Sequence, residues 1–213
     1  MTTPTKIQLY NQALGMIGEG ALSALTDNRP ERYALDSIWD EDPVKQMLEE
    51  TYWEFATRTL EWNYNAALEP AFGYARAFDR PSNFVRTVGV CYDEYFKSPI
   101  TEYQVEAGYW YCDIDTIYIR YVSDADNYGR DMSLWTELFR NCVATKMAKE
   151  LAIRLTRSQA TKDEIKSEHA KYLADAKSLN AQEKPTQYLS PGSWTRSRVG
   201  QRGSYRGTYS SKV

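Results

Sequence analysis

Apolar residues recur with a helical period near both ends of the chain and with a period of two in its middle. From Thr5 onward, Ile7, Tyr10, Leu14 and Ile17 fall at spacings of 3, 4 and 3, which places them on one helical face. Gly18 and Gly20 stop that pattern, and "EGALSALTDNRP" reads as a loop. A second helical segment is expected from about Glu31 to about Thr59, with Tyr33, Ile38, Val44, Leu48, Trp53 and Phe55 as its bulky positions. Pro43 after Asp42 fits either a fresh N-cap with a first-turn proline or a kink in one long helix.

The middle of the chain changes period. Beyond Arg80 and Pro81 come short β-favouring runs bounded by turns: Tyr103 to Glu106, Tyr109 to Cys112, and Thr116 to Val122, with "DID" turning between the last two. Ile117, Ile119 and Tyr121 alternate with Tyr118 and Arg120. A lone hairpin is marginal in water, so these strands are expected to pack on helices or on a neighbouring subunit. Helical spacing resumes in "DMSLWTELFRNCVATKMAKELAIRLT", where Asp131 or Ser133 can cap and Leu134, Leu138, Cys142, Thr145, Ala148, Ala152 and Leu155 form a stripe. After Arg157 and Ser158 a fourth helix runs from Thr161 to about Asn180, carrying Ile165, His169, Tyr172, Ala176 and Leu179 on one face. The short link implies an antiparallel helical hairpin.

These patterns predict a mainly α protein with a β insertion. The expected body, residues 1–184, is an antiparallel four-helix bundle carrying a small antiparallel β-rich elaboration at about 62–125. Residues 185–213 are expected to form an extended basic C-terminal arm, with Pro185 ending the regular structure.

Charge sharpens that division. Over the whole chain 26 basic and 29 acidic residues give a net charge of −3. Lys184 to Val213 holds six basic residues and no acid, a net +6, so the preceding residues carry 20 basic and 29 acidic groups, a net −9. The arm is polar, with Gly, Ser and Arg, yet Tyr188, Leu189, Trp194, Tyr205 and Tyr209 are spaced along it as anchors, which suits a segment that orders on binding. The chain has 17 Tyr and 6 Trp, residue types that interfaces favour, and this tilts the reading toward assembly.

Catalytic signatures are missing from the sequence. There is no phosphate-binding GxxxxGK[ST], no GxSxG, no HExxH and no CxxC. His169, the single histidine, falls on an apolar helix face and reads as a core or partner-facing residue. Asp113 and Asp115, like Asp124 and Asp126, read as turn residues between strands. Cys91, Cys112 and Cys142 are odd in number and widely spaced, which suits free buried thiols. No enzymatic role, cofactor or metal is expected, and no run of apolar residues is long enough for a membrane span. The stretch "RSRVGQRGSYRG" makes a nucleic-acid-binding accessory protein the alternative function. Against it stand the acidic body, the shortness of the run and the lack of a nucleic-acid-binding signature, so arginine forks aimed at protein carboxylates are preferred.

Three stretches, "IQLYNQALGMIGEGALSAL", "YWEFATRTLEW" and "YARAFDRPSNFVRTVGV", resemble in sequence and order the tail tubular protein A family. These are the head-to-tail adaptor, gatekeeper or connector proteins of short-tailed bacteriophages of the T7 type. The resemblance runs from about Lys6 to Leu179 and is carried by Leu9, Asn11, Leu14, Gly18 and Glu19, then Trp53, Phe55 and Ala56, then Tyr74, Ala77, Pro81 and Arg86. It implies a structural protein of the virion tail, made in the host cytoplasm. It further implies a twelve-fold homo-oligomeric ring with the portal protein above and a nozzle protein of the tail tubular protein B kind below. DNA would pass through the ring during genome ejection without sequence-specific binding. Place and chemistry together assign portal docking to the arm, through Trp194, Arg196, Arg198, Arg202, Tyr205, Arg206 and Tyr209.

Overall fold

The computed structural model describes residues 5–70 and 73–183. Among them are five helices and six strands. Helix α1 spans Lys6–Met16, α2 Pro30–Asp40 and α3 Pro43–Glu50. The strands follow as β1 Thr57–Asn63, β2 Arg76–Asp79, β3 Phe84–Cys91, β4 Gln104–Glu106, β5 Tyr109–Cys112 and β6 Thr116–Ser123. Helices α4 Glu137–Thr156 and α5 Gln159–Gln182 complete the described residues.

The expected four-helix bundle with a minor β elaboration is therefore incorrect. The chain folds as an α/β mixture in which two three-stranded antiparallel sheets, ordered β1-β6-β3 and β2-β5-β4, enclose a core of their own. The largest departure lies in the segment expected to be helical from Glu31 to Thr59. It breaks first at Asp42, which adopts a left-handed conformation (φ 55°) and accepts a hydrogen bond from the Lys45 N–H at 3.1 Å, so Pro43 opens a new helix. It ends at Glu50, because Thr51 is fully extended. Trp53 and Phe55 are two residues apart, a spacing no helical face supports. After one 3-10 turn, Glu54–Ala56, the chain enters β1, where Leu60 and Trp62 face the sheet core and Thr59, Glu61 and Asn63 are exposed.

Local chemistry explains the element ends. Gln8 Oε1 accepts the Thr5 N–H at 2.9 Å at the start of α1. At its other end Gly18 takes φ 79°, with Gly18 N donating to Gly15 O and Glu19 N to Leu14 O, a Schellman closure. Asn11, inside α1, grips the following loop by accepting the Leu22 N–H at 2.7 Å and donating to the Leu22 carbonyl at 3.0 Å. Helix α4 is capped by Thr136, whose hydroxyl accepts the Phe139 N–H, and neither Asp131 nor Ser133 serves as the cap. Asp131 instead accepts the Ser133 N–H in the preceding turn. Ser158 caps α5 after Arg157 reverses the chain with φ 53°.

Two cores result. In the first, α4 is central: Phe139, Cys142, Val143, Met147, Ala148 and Leu151 are buried among α1, α2, α3 and α5. Phe139 sits at the middle of an edge-on aromatic cluster, with ring centroids 4.9 Å from Trp53, 4.9 Å from Phe55 and 5.0 Å from Trp135. The indole N–H groups of Trp53 and Trp135 donate to Met47 O and Gly129 O, which lets both rings sit inside without an unpaired donor. The second core lies between the sheets and holds Phe78, Val90, Trp110, Ile117, Ile119 and Tyr121. The sheet containing β6 serves both: Tyr121 points into the sheet core, while Val122, with Val85 and Val88 of β3, belongs to the helical core.

Candidate functional site

Every residue assigned to portal docking, Trp194, Arg196, Arg198, Arg202, Tyr205, Arg206 and Tyr209, lies outside the described residues. What the structure places is the surface presented by the body. The last turn of α5 is fixed to the link between α3 and β1 by Asn180, a buried side chain that accepts the Glu54 N–H at 2.9 Å and donates to the Tyr52 carbonyl at 2.8 Å. The sequence offered one hint of this role: an asparagine on the inward face of an otherwise apolar helical stripe.

The second built feature is the loop after β3. Asp93 organises it by accepting the N–H groups of Tyr95, Lys97 and Ser98, at 3.0, 3.2 and 2.7 Å. Loss of solvent contact is the largest single influence on Asp93 and raises its pKa, but these bonds together outweigh it and hold the carboxyl below its ordinary value. Phe96 turns through φ 55° and lays its ring 4.3 Å from the Arg120 guanidinium. Tyr95 and Tyr92 are left 72% and 53% exposed on a backbone already fixed, as a recognition loop requires.

The carboxylates weighed as chemistry have structural duties. Asp113 accepts the Ala75 N–H at 2.8 Å and Asp115 pairs with Arg76 at 2.6 Å, so both lock the approach to β2. Asp124 lies 3.8 Å from Lys45 and 3.7 Å from Arg130, while Arg130 also pairs with the capping carboxylate of Asp42. Asp36 collects the Tyr10 hydroxyl at 2.9 Å, Arg32 at 2.6 Å and Lys6 at 3.7 Å. Burial opposes its ionisation, yet the bonds from Tyr10 and Arg32 dominate together and depress its pKa.

His169 stands half-buried against α4, with Nδ1 2.9 Å from the Thr145 hydroxyl. Burial, Lys149 and Lys146 lower its pKa, against a smaller opposing pull from Glu50 and a bond to the Cys142 carbonyl. Thr145 is itself fully buried and bonded to the Asn141 carbonyl at 2.8 Å, so the pair is a helix-to-helix contact. Cys91, Cys112 and Cys142 are free and buried, and burial drives Cys142 up to about 11. An open cleft of about 400 Å³ is lined by the polar and charged side chains of Gln46, Glu49, Glu50 and Lys146. Among the described residues no group of three or more side chains is arranged to hold a metal ion, and no helix is long and apolar enough to cross a membrane.

The fold thus defines a mixed α/β protein with a helical body, a two-sheet module and a preordered tyrosine loop. The chain matches no protein-family model and no curated protein.

Proposed function

We propose that this chain is a structural protein of a short-tailed phage virion, a head-to-tail adaptor. Copies form a ring that joins the portal to the tail nozzle and continues the DNA channel, and the protein has no catalytic role. The observation that carries the reading is where the residues of the family resemblance fall. Leu9, Leu14, Trp53, Ala56 and Ala77 are buried, Asn11 grips the first loop and Gly18 supplies a left-handed turn. Most of the shared pattern therefore consists of residues on which the fold depends, which are the ones a distant relative would retain; Arg86, also part of it, is exposed.

Two further features support it. The body carries a net −9, which suits a channel wall along which DNA slides without sticking. The Asp93 loop offers aromatic contact area with its backbone order already established. The test is to mix the chain with the portal protein of its phage and image the product by negative stain. A ring of added density beneath the portal is expected, and its absence refutes the reading. Removing residues 185–213 should leave the body folded and abolish docking, so normal docking by the shortened chain refutes the role given to the arm.

The +6 arm supports the second reading, a nucleic-acid-binding accessory protein. That reading requires binding to a DNA or RNA oligomer at about 0.15 M salt that weakens steeply as salt rises.

A further inference from the structure

Arg80 has cationic charge and no acid to meet it. Its guanidinium lies 4.6 Å from the Phe84 ring centroid and 5.6 Å from that of Trp110. Its Nε is buried with no hydrogen-bond partner, and no described carboxylate reaches the side chain. The adjacent Asp79 is engaged elsewhere, accepting from Asn65 at 2.8 Å. Arg80 as a whole is half-buried, so the strain lies at Nε alone; a buried N–H without an acceptor is costly, and native structures rarely leave one so. The residues outside the described set, 1–4, 71–72 and 184–213, contain no aspartate or glutamate. The chain therefore supplies no acidic side chain for Arg80, and a carboxylate that pairs with it would belong to a second molecule. A single carboxylate suits the stacked planar fork better than a polyphosphate does, because the surrounding body is strongly acidic.

The same sheet carries a complementary group on its opposite edge. Its order is β2-β5-β4, and the row Asp79↔Tyr109↔Glu106 crosses it at one end. Arg80 follows Asp79 on one edge strand, and Glu106 ends the other, roughly 10 Å away across two strand spacings. Gln104, Val105 and Glu106 are all exposed, β4 pairs only with β5, and no described cation meets Glu106. A base that meets no acid on one edge and, at the same level on the other, an acid that meets no cation and accepts only from Gln104 at 3.3 Å can repeat sideways from copy to copy. That is the heterologous geometry a closed ring requires.

We propose that Arg80 and Glu106 are the two halves of a head-to-tail contact between copies of this chain, the guanidinium of one taking the carboxylate of the next. The proposal rests on the ring-forming reading above and names one of its subunit contacts. Sedimentation velocity of the full chain at low salt and high concentration tests it. Arg80→Glu and Glu106→Arg each lower the association constant about tenfold or more, and both substitutions in one chain restore it, because each contact then pairs the exchanged charges. Arg80→Gln gives a loss without adding an acid, and near-UV circular dichroism checks that each variant keeps its fold. Single variants that associate like the parent, or a double variant no better than the singles, overturn the proposal, as does a parent chain that stays monomeric both alone and with portal. Assembly on the portal separates the two ideas. If the parent and Arg80→Glu form rings equally well, this contact is wrong and the adaptor reading stands. If the parent forms no ring there, the adaptor reading falls, and the charge exchange in sedimentation still decides the contact.

Discussion

Replacing Gly129 with alanine probes the packing of the helical core against the end of β6. The backbone N–H of Gly129 donates to the Ser123 carbonyl at 3.0 Å, just past the end of β6, and its own carbonyl accepts the Trp135 indole N–H at 2.9 Å. A Cβ on Gly129 falls inside contact distance of the Ser123 carbonyl oxygen and 2.6 Å from Leu48 Cδ1. The leucine can rotate, but the carbonyl cannot retreat without breaking the bond it accepts. Overpacking a fixed core costs about 1–3 kcal/mol, and each of the two hydrogen bonds put at risk is worth about 1 kcal/mol net. Against this, the smaller conformational freedom of unfolded alanine returns about 0.4–1 kcal/mol. The expected net loss is about 2–4 kcal/mol, a large share of the stability of an ordinary domain. Urea unfolding followed by tryptophan fluorescence measures it as a lower midpoint with an unchanged slope, and near-UV circular dichroism should report the altered setting of Trp135. A variant within about 0.5 kcal/mol of the parent would show that the Ser123 carbonyl yields freely, and the packing argument would be wrong.

His169 predicts a pH dependence. Its folded pKa lies below its unfolded value of 6.5, so the unfolded chain binds more protons there. Its stability contribution is complete above 6.5 and is lost as the pH falls through the folded value; thermal melts from pH 7.5 down to 5 should show this, and His169→Gln should flatten the loss. Asn180→Ala leaves the Glu54 N–H and the Tyr52 carbonyl without this partner, at a cost of about 1–3 kcal/mol, and faster amide exchange at Glu54 is its signature. Ala107, with φ 49°, precedes Gly108, with φ 89°, in the two-residue turn between β4 and β5. Asparagine tolerates that conformation better, so Ala107→Asn should stabilise the chain by about 0.5–1 kcal/mol in the same urea assay. The buried thiols should resist Ellman's reagent until the chain unfolds, and early reaction of Cys142 would contradict its burial.

The long helices were legible because their periodic stripes face a core for many turns. Val143 and Met147 extend the α4 stripe, and Ile165 and Ala176 hold the expected positions on α5, although Leu179 is 40% exposed and Asn180 faces inward in its place. Strand β6 was read correctly from its alternation. Strand β1 was not, since Thr57 to Asn63 follows directly on a helix and its strand partner begins more than fifty residues later, at Thr116 paired with Asn63. No local pattern encodes that closure, nor the division of six strands into two sheets. The arm, read from charge and composition, lies outside the described residues. Arg80 stood in the sequence only as the residue before Pro81, ahead of the β-favouring runs, because a missing acceptor is a property of what surrounds a side chain.

The sheet β1-β6-β3 is a party wall: Tyr121 furnishes one room and Val122 the next, on consecutive residues of one strand. Neither room can be dismantled without stripping a face of that wall. Helical signal and tyrosine fluorescence from the sheet module should therefore disappear in a single transition, and the two halves of the body should move as one piece when either is pulled.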